Sequence, residues 1–261
     1  MSRSIATSTP LTQEPLEPRL LPRHLALIMD GNGRWAEERG LDRAEGHRVG
    51  SEVVNKIVRS CRSLGVRYLT LYAFSEQNWG RPEAEVSALM SLLSDYLAEQ
   101  RAEILERRIR LKAIGQLDRL PSFVRGPLNA LIAESADAQG MTLTLALSYG
   151  GREELVQAMQ TIGRSISSGE LSPDAVTEEV INAHLYAPDI PPPDLIIRTS
   201  GELRLSNFLL WQSAYAELDF IEAPWPEFNE RRLHEALARF ARRERRFGLT
   251  SSQLTTSDQD S

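Results

Sequence analysis

Carboxylate, guanidinium and hydroxyl groups gather at the ends of short apolar runs in this chain, and that grouping suits diphosphate chemistry. The run HLALIM ends in Asp30, followed by Gly31, Asn32, Gly33, Arg34 and Trp35. Two glycines let backbone N–H groups turn toward one point, a phosphate cradle when the turn leads to a helix. Arg34 adds a fork of donors. A carboxylate beside a diphosphate makes sense mainly with Mg²⁺ between them, because two anions otherwise repel. Taken alone, the same string is an ordinary Asn-Gly turn. Arg43 and His47 follow as further phosphate-directed side chains, although a lone histidine is more often structural.

A second run, YLTLYAF, ends before Ser75, Asn78, Trp79 and Arg81. These groups can orient a diphosphate ester and its hydrocarbon, or form a helix cap with a core tryptophan. The densest group is Arg198, Ser200, Arg204 and Ser206, four side chains within nine residues, directly after the run LII. Two guanidiniums with hydroxyls make a diphosphate clamp. The alternative is pairing with Glu202 inside the chain. Tyr149-Gly150-Gly151-Arg152 reads as a strand-to-helix turn that supports such a site.

These residues need a scaffold, and the periodicity supplies one. Strands are expected at Leu25–Met29, Tyr68–Phe74, Leu111–Ile114, Thr142–Leu147, Leu195–Ile197 and Leu218–Ile221. Helices are expected at Gly46–Leu64, Glu83–Arg107, Phe123–Ala138, Glu153–Ser167, Asp174–Leu185 and Glu230–Phe247. The alternation implies an α/β fold: a single domain with a six-stranded, mostly parallel sheet flanked by helices. Six strands are too few for a (β/α)₈ barrel. Open parallel sheets bind ligands beyond the carboxyl ends of their strands, where the polar motifs fall. On the Glu83–Arg107 helix, Val86, Leu89, Met90, Leu93, Tyr96 and Leu97 form a stripe that reads first as core-facing.

Composition narrows the function further. Net charge is −6, which argues against a general nucleic-acid binder. The only lysines are Lys56 and Lys112; arginine in their stead suits bidentate phosphate contacts, but genome composition produces the same bias. The single cysteine, Cys61, rules out a disulfide framework within the chain and fits a reducing compartment. No stretch approaches the roughly 20 apolar residues that span a bilayer. Residues 1–21 and 249–261 read as polar tails, which leaves 22–248 as the folded unit.

The strings MDGNGRWA and RAEGHRVG, FSEQNWGRP, SYGGR, and RTSGELRLSNFLLWQ with the later YAE and WP resemble the signature of the cis-prenyltransferases, undecaprenyl diphosphate synthases in particular. The resemblance runs from Leu21 to Gly248. It implies an Mg²⁺-dependent transferase condensing isopentenyl diphosphate with an allylic diphosphate such as farnesyl diphosphate. The product would be a cis-polyprenyl diphosphate, a precursor of a long-chain lipid carrier for envelope glycans.

By resemblance, Asp30 is essential and holds Mg²⁺ with Glu217, in one chain or across a dimer. Gly31, Asn32, Gly33, Arg34, Arg43 and His47 bind the allylic diphosphate, and Trp35 flanks it. Ser75, Glu76, Gln77, Trp79 and Arg81 line the reacting region, and Asn78 is implicated in proton removal. Arg198, Arg204, Leu205 and Ser206 bind isopentenyl diphosphate. The helical stripe becomes the wall of an apolar product channel. Gln77 and Ser148 depart from the family pattern, which has glutamate and asparagine there. The RERRFG ending implies support for a homodimer or its site. A cytoplasmic protein, peripheral at the membrane through transient contact during product release, and no nucleic acid complete the expectation.

Rival readings fare less well. Trans-prenyltransferases use DDxxD clusters on an all-α fold, and no DDxxD occurs. A P-loop enzyme needs GxxxxGK[ST], also absent. A non-catalytic partner subunit would tend to lose Asp30 and the arginine pair, which this chain keeps.

Overall fold

Strand β1, His24–Ile28, is buried at every residue, so it must be covered on both faces. Leu25 and Leu27 point to one side, Ala26 and Ile28 to the other, and the two sets enter separate apolar clusters. The same logic holds for β4 (Met141–Tyr149) and β5 (Leu195–Thr199), while β2 (Tyr68–Ser75) is buried through Leu69–Leu71 and at Phe74. The edge strands are β3 (Ile109–Ile114) and β6 (Glu217–Ile221). A computed structural model describes residues 17–243.

The helices are α1 (Asn32–Glu37), α2 (Arg43–Leu64), α3 (Glu83–Glu106), α4 (Ser122–Glu134), α5 (Gly151–Ser167), α6 (Glu178–Ala183) and α7 (Glu230–Ala241). On the first face α2, α3 and α7 pack Ile57, Cys61, Leu97, Leu233 and Leu237 over the leucines of β1 and β2. The opposite face of the sheet is covered in part by Phe208 and Leu209 from the segment after β5.

Strand order is β3-β4-β2-β1-β5-β6, with every neighbouring pair parallel. The chain leaves β1 toward β2 on one side and leaves β5 toward β6 on the other. Adjacent β1 and β5 therefore form the topological switch point, where a crevice opens beyond the strand ends. Asp30 and Arg198 belong to this pair of strand ends.

Several expected boundaries move, each for a local reason. The Asn-Gly turn after β1 is the entry to α1, a helix not anticipated from sequence: Gly31 takes φ 99° and the chain turns helical at Asn32. The helix expected over Asp174–Leu185 is split into a 3₁₀ turn, Pro173–Ala175, and α6. Extended Val176 and the cap at Thr177, whose hydroxyl accepts Val180 N–H, interrupt it. Helix α4 stops at Glu134, short of the expected Ala138. Ser135 hydroxyl donates to Leu131 carbonyl and accepts Leu111 N–H, tying the helix end to β3. Pro127 inside α4 leaves the Phe123 carbonyl without its helical donor. The Ser94 hydroxyl of α3 supplies one at 3.3 Å. Residues 244–247 of the expected last helix, the RERRFG ending beyond its first residue Arg243, and both expected tails except residues 17–21 lie outside the described residues.

Gly31 is where the backbone geometry admits no side chain. A Cβ there would lie 2.8 Å from both Pro224 Cβ and Ser200 Oγ, and φ is 99°. Gly31→Ala is expected to destabilise the protein by about 1–3 kcal/mol in urea unfolding, since strain and collision act together.

Candidate functional site

At the switch point a buried guanidinium meets a half-exposed carboxylate. Arg198 is the fourth residue of β5 and pairs in register with Ile28, so its side chain reaches the end of β1. Its Nη2 donates to Asp30 Oδ2 at 2.7 Å, and its Nη1 donates to Ser206 Oγ at 2.7 Å and to the Arg204 carbonyl. The side chain is 5% exposed, against 30% for Asp30. Arg198 Nε is buried without a partner. Asp30 Oδ1 accepts Gly31 N–H at 2.7 Å, and the Asp30 carbonyl is held by Thr199 hydroxyl and Trp225 N–H.

Around this pair lies a ring of alternating charge. Arg34 approaches Asp30 at 3.6 Å and Glu202 at 2.9 Å, and Arg204 also pairs with Glu202. The Arg204 hydrogen bond, with Arg34 behind it, holds the Glu202 carboxyl below the usual carboxylate range. Intrachain pairing with Glu202 is thus real, and it coexists with the clamp: Glu202 sits between two guanidiniums. Arg34, expected with Arg43 and His47, faces the Arg198–Arg204 group instead.

The clamp segment has a costly backbone. Ser200, Ser206, Asn207 and Leu209 all have positive φ, at 77°, 50°, 66° and 45°. Neighbouring elements hold it there. The Asn207 carbonyl accepts Gly151 N–H, its Oδ1 accepts Arg152 N–H, and its Nδ2 donates to Glu153. The Gly150-Gly151-Arg152 turn is therefore a support for the clamp. Tyr72 hydroxyl lies 3.3 Å from the Ser206 carbonyl, and its ring stacks on Phe208 at 4.5 Å.

A second charged group sits across the mouth of a groove. Arg43 contacts Glu37 at 2.8 Å and Glu85 at 3.4 Å, while Arg81 reaches Glu85 at 2.9 Å. His47 Nε2 is buried, accepts no hydrogen bond and lies 3.9 Å from Glu85. Burial, then the positive field of Arg81, pushes the His47 pKa down to about 4. The imidazole is consequently neutral at physiological pH, with a free nitrogen aimed into a charged pocket.

The groove below is apolar. Met29, Val54, Leu71, Phe74, Leu89, Met90, Leu93, Tyr96, Leu145 and Trp225 line it, with Asn32, His47, Asn78 and Arg81 at polar positions. It holds about 160 Å³ and opens to solvent at its mouth. Ala73 makes room for it: it is unpaired at a register break in β2 and exposed in mid-sheet. Part of the expected helical stripe, Leu89, Met90, Leu93 and Tyr96, does line this groove. Gly50 brings α2 against α1, its missing side chain leaving room for Asn32 Oδ1, another buried atom without a partner.

Other expected residues fall elsewhere. Trp35 packs beneath Arg39 at 4.5 Å and donates to Glu227, away from the groove lining. Trp79 donates to Ser148 and packs edge-on against Phe74. Ser75 and Asn78 cap one another: Asn78 Oδ1 accepts Ser75 N–H at 2.9 Å, and Ser75 hydroxyl accepts Asn78 N–H. Gln77 is exposed, whereas Glu76 turns inward to Arg119 and Ser148. Leu205 packs against the second-face cluster. Of the two family departures, Ser148 therefore meets Glu76, while Gln77 faces solvent.

Glu217 does not join Asp30 within one chain. It is the first residue of β6, paired with Leu195, whereas Asp30 lies two residues past Ile28, the partner of Arg198. The two are separated by five residues along the strands, roughly 16 Å. Glu217 instead pairs with Arg243 at 2.8 Å. Sequence reading missed Glu85, Tyr72, Ala73 and Trp225. Glu85, four residues after Arg81 on a helix start, was the one with a local signal.

A switch-point crevice with guanidiniums around one carboxylate, opening on an apolar groove, defines a protein that grips a diphosphate head and lays out a hydrocarbon tail. The comparisons agree. Residues 28–248 match the family described as putative undecaprenyl diphosphate synthase, and the chain belongs to that family. An isoprenyl transferase of Geobacter sulfurreducens is 50% identical over 92% of this chain and 98% of its own. Isoprenyl transferase 2 of Bradyrhizobium diazoefficiens is 48% identical over 87% and 90%. Among solved structures, lavandulyl diphosphate synthase from Lavandula x intermedia in complex with dimethylallyl diphosphate is 37% identical at TM-score 0.86, covering 88% of this chain and 99% of that one. A probable undecaprenyl diphosphate synthase from Campylobacter jejuni is 32% identical at TM-score 0.72, covering 87% and 98%. The chain is a prenyltransferase of cis-prenyl chain condensation; a non-catalytic subunit is not favoured.

His47 carries a testable pH signature. Its folded pKa, about 4, lies below the ordinary value of 6.5, so the unfolded state binds the proton first as pH falls. The stability it allows is full above pH 6.5 and declines as pH drops toward about 4. His47→Gln is expected to flatten that decline in urea unfolding, without abolishing it, because buried His24 is depressed in the same direction. An unchanged slope would place the proton elsewhere.

Proposed function

We propose that this chain extends an allylic diphosphate such as farnesyl diphosphate with isopentenyl diphosphate, giving a cis-polyprenyl diphosphate destined to be a carrier lipid. The observation that carries it is the Asp30–Arg198 pair at the head of an apolar groove. The second group, Arg43, His47 and Arg81, takes the allylic diphosphate, with its tail running down the groove. Arg198, Arg204 and Ser206 take isopentenyl diphosphate, and Arg34 stands between the two heads. A diphosphate arriving between Arg34 and Arg204 competes with Glu202 for both guanidiniums, which exchanges one anion for another of higher charge.

The residues present fit Mg²⁺. Asp30 keeps unused lone pairs, is partly exposed and is surrounded by diphosphate-directed arginines. No three acidic, histidine or cysteine side chains converge among the described residues. The donor set would thus be one carboxylate completed by diphosphate oxygens and water, a usual arrangement for this ion. When bound, Mg²⁺ neutralises diphosphate charge and eases departure of the leaving group. Glu217 could complete such a set only from a second copy, and the proposed assembly is a homodimer. The protein works in the cytoplasm and touches the membrane transiently as product leaves.

The allylic C–O bond breaks, its electron pair leaves on diphosphate, and positive charge develops on the allylic carbon. The isopentenyl double bond attacks that carbon, and a proton departs to leave the new cis double bond. The Asn78 oxygen is already committed to Ser75 N–H, and a carboxamide is a weak base. Its NH₂ group therefore orients substrate, and a diphosphate oxygen takes the proton. The enzyme's share is proximity and charge placement.

The test is incorporation of radiolabelled isopentenyl diphosphate onto farnesyl diphosphate, with and without Mg²⁺. Asp30→Ala should lower turnover by at least about a hundredfold; full turnover in that variant would overturn the assignment. Met90, 2% exposed and on the groove wall, offers a second check. Met90→Trp should shorten the product ladder, and an unchanged ladder would exclude that position as a length determinant.

A further inference from the structure

The sheet has a second charged rim, opposite the site. Where β3, β4, β2 and β1 begin, arginines stand side by side: Arg108 before β3, Arg67 before β2 and Arg23 before β1. Backbone bonds tie the row together. Gly140 N–H donates to the Arg108 carbonyl, Thr142 N–H to the Arg67 carbonyl, and Arg67 and Tyr68 N–H to the Arg23 carbonyl. Arg62 lies over Gly140 and donates to the Arg107 carbonyl. Neither Arg23, Arg62, Arg67 nor Arg108 enters an ion pair among the described residues. Three of them are exposed.

The surroundings do not neutralise the row. Glu103 is committed to Arg59 and Arg107. Glu106 and Asp137 stand at the α3 and α4 ends, Asp194 at the start of β5 accepts His24 N–H, and Glu217 at the start of β6 pairs with Arg243. Net charge over the chain is −6, so four arginines outside the ion pairs of the described residues on one edge are a localised feature. Arg108 also holds φ 55° at the turn from α3 into β3, a position where glycine is the unstrained choice.

Two further observations point to a lipid surface. Helix α3 starts two residues past Arg81 at the site and ends just before Arg107 at this rim, and its groove residues Leu89, Met90, Leu93 and Tyr96 descend in that direction. A hydrocarbon lengthening along α3 is therefore led toward the arginines. Leu20, 43% exposed, stands just ahead of Arg23 and offers an apolar contact beside the charge.

We propose that this arginine rim docks the enzyme on an anionic phospholipid surface, with the product channel pointing into it. The inference deepens the membrane contact proposed above and rests on that reading. Polybasic surfaces bind anionic bilayers by additive contributions from each arginine, screened by salt.

The test is co-sedimentation of the full chain with phosphatidylcholine vesicles, with and without phosphatidylglycerol. The protein should bind the anionic vesicles, release with salt and ignore the neutral ones. Arg23→Gln/Arg67→Gln/Arg108→Gln should weaken binding by about a hundredfold. Arg39→Gln/Arg48→Gln/Arg125→Gln, which removes equal charge near the carboxyl ends of the strands, should leave binding intact. Equal binding by both triple variants, equal binding to neutral vesicles, or tighter binding to a short RNA that strips the protein from vesicles would each overturn the proposal. Isopentenyl incorporation in detergent is read separately and should be unchanged in both variants. An inactive protein that still binds through the rim would sink the proposed reaction and leave the docking surface standing.

Discussion

A guanidinium at 5% exposure must be paired, and the pairing of Arg198 with Asp30 ties the switch point together. It joins the ends of β1 and β5, the two strands whose connections part in opposite directions. From the same guanidinium, bonds reach Ser206 and the Arg204 carbonyl, so the clamp segment is built around it. Asp30 in turn is fixed through its carbonyl by Thr199 and Trp225. Removing Asp30 would leave the Arg198 guanidinium buried without its carboxylate, beside a strained segment.

That strain is distributed across the fold. Four non-glycine residues with positive φ in one segment would relax if free. The turn into α5 grips Asn207 at three points, and Tyr72 and Phe208 fill the space beneath. The clamp arginines are thus presented by a rigid surface, as electrostatic preorganisation requires.

Head and tail chemistry are separated by position along the strands. Charge collects at their carboxyl ends, and the groove below is lined by leucine, methionine and aromatic side chains. His47 marks the boundary: buried and close to Arg81, it stays neutral and adds no further charge to a site already crowded with arginine. Ala73 shows how the groove is accommodated, a small residue at a register break in an otherwise closely packed sheet.

The alternating pattern of apolar runs determined the parallel α/β sheet, and its strands lie within two residues of where periodicity put them, because burial on both faces leaves few choices. The motif strings likewise located Asp30, Arg198, Arg204 and Ser206 at strand ends. What tertiary structure alone decided was grouping. Arg34 joined the Arg204 side through Glu202, Trp35 turned outward to Arg39, and Glu217 fell at the opposite end of the sheet from Asp30. Glu85, Tyr72, Ala73 and Trp225 became part of the site through contacts far apart in sequence. Spacing along a chain sets which residues share a strand or helix face. Which of them meet depends on strand order and on the rotation of each element, and those are set by packing across the whole sheet.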